Sequence, residues 1–409
     1  MWKISFSIVL ATIVVISTSV SAAPPALIEV QVQGESLQGK VSAHTDRFFW
    51  LESQDGRLRR LPADDVHKFR KISPQFGAWS ASIVRDNLRR EFGKSFEFAG
   101  TRHYVVGAPS SQKARLYAET FEELFRTFQM HFSVRGFTIS EPEFPLIAIV
   151  FPDVDSFARY ACAENVDSPR SFLGYYMRLS NRIALYETPE NAPQQSQLSP
   201  TPVSPTLVSP TRGLPIGDLG PFADTGLPIA TSSAPWIESE FWGTFQGSLK
   251  DTMIHEATHQ AAFNTGLHSR IGENPKWVVE GLATVFEAPG IRNSGGSGTA
   301  RTRINHGRFI HFGDFRKSRL KSKSLESFLA NDDLFKTSMP DFYSEAWALS
   351  FFLIETRPRA YAEYLRTIAA RDPLRAYPAE DRIADFKSTI SKELPLLEAE
   401  FLRFIAGIK

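Results

Sequence analysis

Two short stretches restrict this chain more than any others: His255-Glu256-Ala257-Thr258-His259, and Trp277-Val278-Val279-Glu280-Gly281 further on. Residues four apart on a helix share a face, so His255 and His259 can aim their imidazoles at one point. Neutral imidazole is a good zinc ligand, and two histidines plus one carboxylate leave a fourth position for water. Glu256, one residue from His255, leans toward the side of such an ion and is placed to take a proton from that water. The pattern therefore requires two helices that bring His255, His259 and Glu280 together around one Zn2+.

The flanking residues agree with two helices. Ile254, Ala257 and Ala261 form an apolar stripe away from the histidines, and a stop is expected near Asn264 and Gly266. A second helix is expected from Asn274 as N-cap and Pro275 at the first position, running to Ala288 before Pro289-Gly290. Glu280 then lies among Trp277, Val278, Val279, Leu282, Val285 and Phe286, where a carboxylate is costly to bury unless paired or bound to metal. The bland alternative is two unrelated histidines on a surface or core helix.

His-Glu-Ala-Thr-His followed by Trp-Val-Val-Glu-Gly-Leu-Ala resembles the gluzincin group of zinc metallopeptidases, the thermolysin-like and aminopeptidase-like clan. More narrowly, the chain after its first two dozen residues resembles a secreted, gluzincin-like family carried as a domain of unknown function, with a small β module ahead of the peptidase-like part. The resemblance implies His255, His259 and Glu280 as ligands and Glu256 as general base. Thermolysin-type members place an aspartate one turn after the glutamate ligand, and this chain has Thr284 there. The residue that orients a ligand histidine must come from elsewhere, with Asp251 and Glu287 both open. Many gluzincins also supply a tyrosine or histidine to the oxyanion. Tyr343, in Tyr343-Ser344-Glu345-Ala346-Trp347-Ala348-Leu349 at the head of an apolar helix through Ile354, is the candidate; the alternative is that Tyr343 and Trp347 simply pack. His306 and His311 are weaker candidates, expected in a solvated, Gly-rich, basic loop.

The remaining features narrow compartment and partner. Met1-Trp2-Lys3, an apolar run from Ile4 to Ile16 and small residues from Ser17 to Ala23 read as a signal peptide over 1–22. An uncleaved anchor is the runner-up. The mature chain is expected outside the cytoplasm, secreted or periplasmic, with no transmembrane span. Cys162 is the only cysteine, which excludes an intrachain disulfide and a cysteine-ligated zinc site; it is expected to be a buried small hydrophobe. With 46 basic and 45 acidic residues, nothing suggests nucleic acid or an anionic membrane as partner. The basic run Arg316 to Lys323 is the local exception, read as a solvated loop, with contact to an acidic substrate as the alternative.

The expected fold class is α+β. Residues 27–72 form a small β module, with strands at Ile28–Val32, Leu37–His44, Arg47–Glu52 and Leu58–Leu61, a turn at Gln54-Asp55-Gly56 and an aromatic trio Phe48-Phe49-Trp50 that reads either as a binding face for an unidentified ligand or, for at least one ring, as core. Residues 97–187 read as α/β: a strand at His103–Gly107, a helix at Gln112–Phe132, a strand at Pro145–Phe151, a helix at Val154–Ala163 and a strand at Arg182–Tyr186. The Pro/Ser/Thr-rich stretch 188–237, with Ser-Pro-Thr recurring at 199, 204 and 209, reads as an exposed insertion. Residues 241–409 are the helical half, so that sheet and helices form one interrupted catalytic unit. The resemblance implies a sheet whose edge strand lines the cleft, where an extended peptide can pair.

These features point to a secreted zinc metallopeptidase acting on a peptide or protein substrate. Two other classes stay open: a zinc-containing envelope protein that catalyses nothing, and a zinc hydrolase of non-peptide amides or esters.

Overall fold

The computed structural model of the chain describes residues 25–137, 139–188, 241–244, 248–292, 299–321 and 324–408. The signal segment 1–22 and all but the first residue of the 188–237 insertion lie outside the described residues. The fold is mixed α+β, with sheets in the N-terminal half and helices in the C-terminal half.

The first strands are β1 Leu27–Val32, β2 Glu35–His44, β3 Phe48–Glu52, β4 Leu58–Pro62 and β5 Val66–Ser73, forming an antiparallel sheet in the order β4-β3-β2-β1-β5. Ile28, Val30 and Val32 alternate inward against Leu37, Leu51 and Leu61. The sequence reading has four strands here, whereas the structure adds β5 along the free side of β1. Its run from His67 to Ile72 is exposed, Phe69 by 67%, so it carries no inward alternation to recognise. Phe48, Phe49 and Trp50 are half-buried, and Phe49 packs on the module's core.

The second sheet is built from β6 Glu97–Gly100, β7 Tyr104–Ala108, β8 Leu146–Phe151, β9 Gly174–Met177, β10 Arg182–Tyr186 and β11 Phe241–Thr244, in the order β11-β9-β10-β8-β7-β6. Strands β7, β8 and β10 run parallel, and the outer pairings are antiparallel. Strand β8 reads as one apolar run because both its faces are covered. Leu146, Ala148 and Val150 face one core, and Ile147, Ile149 and Phe151 face another. The second core is closed by α1 Ala81–Phe92 and α3 Val154–Ala163, the first by α2 Ser111–Ser133 and α4 Leu249–Asn264.

Four of these elements, α1, β6, β9 and β11, fall where the sequence reading places no element or only a helical half. Helix α1 buries Val84, Leu88 and Phe92, a stripe at i, i+4 and i+8. Strand β11 shows that the segment after the insertion re-enters the sheet before becoming helical. Cys162, expected to be buried, is exposed near the end of α3.

The rest is helical: α5 Lys276–Glu287, α6 Pro289–Arg292, α7 His306–Ser318, α8 Leu325–Ala330, α9 Asp333–Thr337, α10 Met339–Thr356, α11 Pro358–Ala369, α12 Ala379–Thr389 and α13 Leu394–Gly407. One core runs from Tyr104 on β7 to Ile405 on α13, so sheet and helices share a hydrophobic interior. No helix among the described residues is long and apolar enough to cross a membrane.

Two polar ties hold α4 to the rest. The Gln260 amide donates to the carbonyls of Ile147 (3.1 Å) and Asn181 (2.8 Å), while Asn264 and Asn181 exchange side-chain hydrogen bonds at 2.8 Å. Just past α4, the Arg270 guanidinium donates to Glu52 Oε1 (2.8 Å), the Gly56 carbonyl (2.7 Å) and the Arg178 carbonyl (2.9 Å). The β module, the β9–β10 turn and the loop after α4 are thereby clasped together, with Leu58 N–H donating to the Leu179 carbonyl at 2.7 Å.

Candidate metal centre

Helix α4 starts in a capping box: Ser248 accepts from the Asp251 N–H, and Asp251 accepts from the Ser248 backbone. It ends at Thr265, and Gly266 takes φ +81°, the left-handed conformation that closes a helix C-terminus. Every residue from Thr252 to Phe263 is buried, so α4 passes through the interior.

Helix α5 begins one residue later than the sequence suggests, with Pro275 at the cap position. Asn274 is not its N-cap: its Oδ1 accepts from the Ser269 N–H (3.0 Å), while the first free N–H of the helix, on Lys276, donates to Asp332 Oδ1 (3.0 Å). A more distant aspartate has replaced the local cap.

His255 and His259 on α4 meet Glu280 on α5 in a buried cluster. His255 Nε2 and His259 Nε2 are 3.0 Å apart, and Glu280 Oε2 lies 3.3 Å from the first and 3.7 Å from the second. A tetrahedral zinc ion with bonds of about 2.0–2.1 Å holds its ligand atoms roughly 3.3–3.4 Å apart, so this triangle has the size such an ion needs. The chemistry also matches. Glu280 is 1% exposed, its Oε2 enters no hydrogen bond of ordinary geometry, and its ionic contacts are to the two imidazoles. Burial alone would lower the His255 imidazole, yet Glu280 and Glu287 push it up to about 10, which shows that the local field favours positive charge at this point. Burial, followed by the proximity of His255 and His268, holds His259 well below the usual range, in the neutral form a ligand requires. The residues fit a divalent cation.

The choice between Asp251 and Glu287 falls to Glu287. Asp251 is engaged at the α4 cap, whereas Glu287 Oε1 is 2.7 Å from His255 Nδ1. Glu287 Oε2 accepts in turn from Asn305 Nδ2 at 2.6 Å, and Asn305 caps α7. This chain fixes the ring of His255 with Nε2 toward the cluster. Thr284, at the position of the thermolysin-type aspartate, turns its hydroxyl back to the carbonyls of Glu280 and Gly281.

Residues 250–375 match the family described as "Protein of unknown function (DUF1570)". No curated protein matches the chain. The matched stretch starts inside α4 and extends past α11, so it contains all three clustered side chains, Glu256 and Tyr343.

Tyr343 lies in the first turns of α10, which begins at Met339 rather than at the tyrosine. Its hydroxyl is raised well above the usual range by burial first, then by Glu280 and Glu256, with Arg308 opposing; it also hydrogen-bonds with Glu280. The phenol is therefore beside both carboxylates, while its ring packs on Phe335 and Phe342. Glu256 is fully buried. His306 and His311 lie not in a loop but on α7: His306 is exposed at its first position, and His311 Nε2 contacts Asp341 Oδ1 at 2.8 Å. The basic run is likewise part helix, and Arg319 pairs with Asp341 at 2.7 Å. Lys321 is its last described residue before Ser324.

Two residues from Tyr343, Glu345 is 3% exposed, and burial, with Glu398 and Asp341 adding, pushes its carboxyl up to about 8. The folded protein thus holds a proton there that the unfolded chain releases near 4.5. The stability this gives is complete below that value and is lost as pH rises through 8. Glu345→Gln should leave stability at pH 5 unchanged and raise it at pH 9 by on the order of 2–4 kcal/mol. Chemical denaturation across that range checks this; parallel curves for variant and wild type would count against it.

Proposed function

We propose that this protein is a zinc-dependent peptidase of gluzincin type, acting outside the cytoplasm. The observation that carries the reading is the triangle of His255 Nε2, His259 Nε2 and Glu280 Oε2, with sides of 3.0, 3.3 and 3.7 Å. His255, His259 and Glu280 would hold one Zn2+, which supplies when bound an acidified water and a polarised carbonyl.

The chain's own residues do the rest. Glu256 is excluded from solvent and adjacent in sequence to His255, so it is placed to accept the water proton and pass it to the leaving amine. The raised Tyr343 hydroxyl stays protonated at any working pH, so it can donate to the substrate carbonyl oxygen as negative charge develops there. Glu287 keeps His255 in the tautomer that presents Nε2. Strand β11 ends the second sheet among the described residues, and α4 packs against it. An extended peptide can add to that edge by main-chain hydrogen bonds, which favours peptides over small amides or esters. The compartment rests on the Met1–Ala23 pattern in the sequence.

The test is metal analysis of the purified full chain together with a peptide-library digest. About one zinc per chain is expected, with cleavage abolished by a chelator, restored by added zinc, and weak or absent on small amides and esters. A chain without stoichiometric metal, or a zinc-loaded chain that cleaves no peptide, would overturn the proposal.

A further inference from the structure

The first turn of α7 touches the metal centre at two points. Asn305 holds Glu287, and three residues later the Arg308 guanidinium sits 4.9 Å from the centroid of the Tyr343 ring. Three nearby arginines are matched. Arg303 binds Glu355 (2.8 Å), Arg319 binds Asp341 (2.7 Å), and Arg292 donates to the carbonyls of Phe286 and Glu287 (both 2.8 Å). Arg308 is half-buried, yet its guanidinium has no ion pair and no hydrogen-bond acceptor among the described residues; only its backbone N–H is bonded, to Asn305. A cation taken partly out of water without a partner carries a desolvation cost that the ring contact offsets only in part. A guanidinium is also the side chain best shaped to bind a carboxylate in two-pronged fashion.

The charge around the centre gives this arginine a purpose. Glu280 is a corner of the triangle, Glu287 backs its His255 corner and Glu256 acts on the same Tyr343 hydroxyl, so a substrate bearing its own carboxylate would be repelled unless a cation stood beside it. Arg308 is a cation over the ring of Tyr343, whose hydroxyl feels Glu280 and Glu256 from the cluster and Arg308 in opposition.

We propose that Arg308 is the specificity determinant of this centre and receives a carboxylate of the substrate close to the bond that is cut. The inference rests on the peptidase reading above. It names the substrate class as peptides with a free C-terminal carboxylate or an acidic side chain next to the scissile amide.

Two measurements on the full, zinc-loaded chain test it. The first is binding, by calorimetry, of a succinyl hydroxamate with a free carboxylate and of its carboxamide twin. The wild type should prefer the carboxylate by about tenfold or more; Arg308→Gln should erase the preference by weakening that probe alone, and Arg308→Lys should keep part of it. The second compares hydrolysis of peptide pairs, C-terminal acid against amide and Asp against Asn, to tell the two sources of carboxylate apart. The preference should lie in KM, and Arg308→Glu should reverse it toward basic peptides. Equal binding of both hydroxamates by the wild type, or an equal loss on both in Arg308→Gln, overturns the role of Arg308 and leaves the zinc reading standing. No binding of either overturns both.

Discussion

Glu256→Gln should leave the zinc content unchanged and lower turnover by about a thousandfold or more. The substitution is nearly isosteric, so packing at this fully buried position is preserved. It removes only the ability of the side chain to accept a proton. The three atoms that converge on the candidate metal position belong to His255, His259 and Glu280, so stoichiometry should not change. Binding and turnover therefore separate: a hydroxamate should still bind the variant while peptides go uncut. Metal analysis, calorimetry and single-turnover peptide hydrolysis on one preparation supply the three readings. A variant that keeps wild-type turnover would remove Glu256 from the chemistry. A fall in zinc content to match the fall in rate would show that the substitution acts through the metal site instead.

How much of this centre could be read from the sequence depended on whether the information was local. His255 and His259 are one helical turn apart, and the Gly266 stop and the apolar company of Glu280 are visible within short windows. Strand β8 was equally legible, because burial on both faces makes it continuously apolar. What escaped depends on contacts across the chain. Asp332 caps α5 from more than fifty residues away, so the Asn274-Pro275 pair misled. Gln260 bonds to strand carbonyls, and nothing in the composition of α4 distinguishes it from a surface glutamine. Glu287 and Asp251 were equivalent candidates until α4 and α5 were set side by side. Arg308 looked like one charge in a basic, glycine-containing stretch, and only its place over the Tyr343 ring, with no anionic partner among the described residues, singles it out. Exposure hid β5 and Cys162, for a half-solvated strand lacks alternation and a short helix leaves little to place one thiol.

The residue directly after Glu280 should respond to substitution with a sign opposite to that of an ordinary helix. Replacing glycine by alanine in a solvent-facing helix gains about 0.5–1 kcal/mol. At Gly281 a Cβ would lie 2.5 Å from the Ala346 carbonyl oxygen and clash with Ser350 Oγ, because α5 and α10 meet backbone to backbone there. The serine hydroxyl can rotate away, but the carbonyl belongs to the α10 backbone and moves only with the helix. Gly281→Ala should therefore destabilise the protein by about 2–4 kcal/mol, as overpacked cores do. The damage should also reach the candidate metal centre. Ala346 lies one turn beyond Tyr343, so pushing α10 outward draws the phenol from Glu280 and shifts Glu280 relative to the histidines. Denaturant titration should show the loss of stability, and zinc competition with a chelator should show weaker binding. Adding Ser350→Ala should restore part of the stability, since it relieves one clash and leaves the other. Full rescue would mean that the helices do not meet through their backbones, and a stabilised Gly281→Ala would mean that α5 and α10 do not pack together at this point.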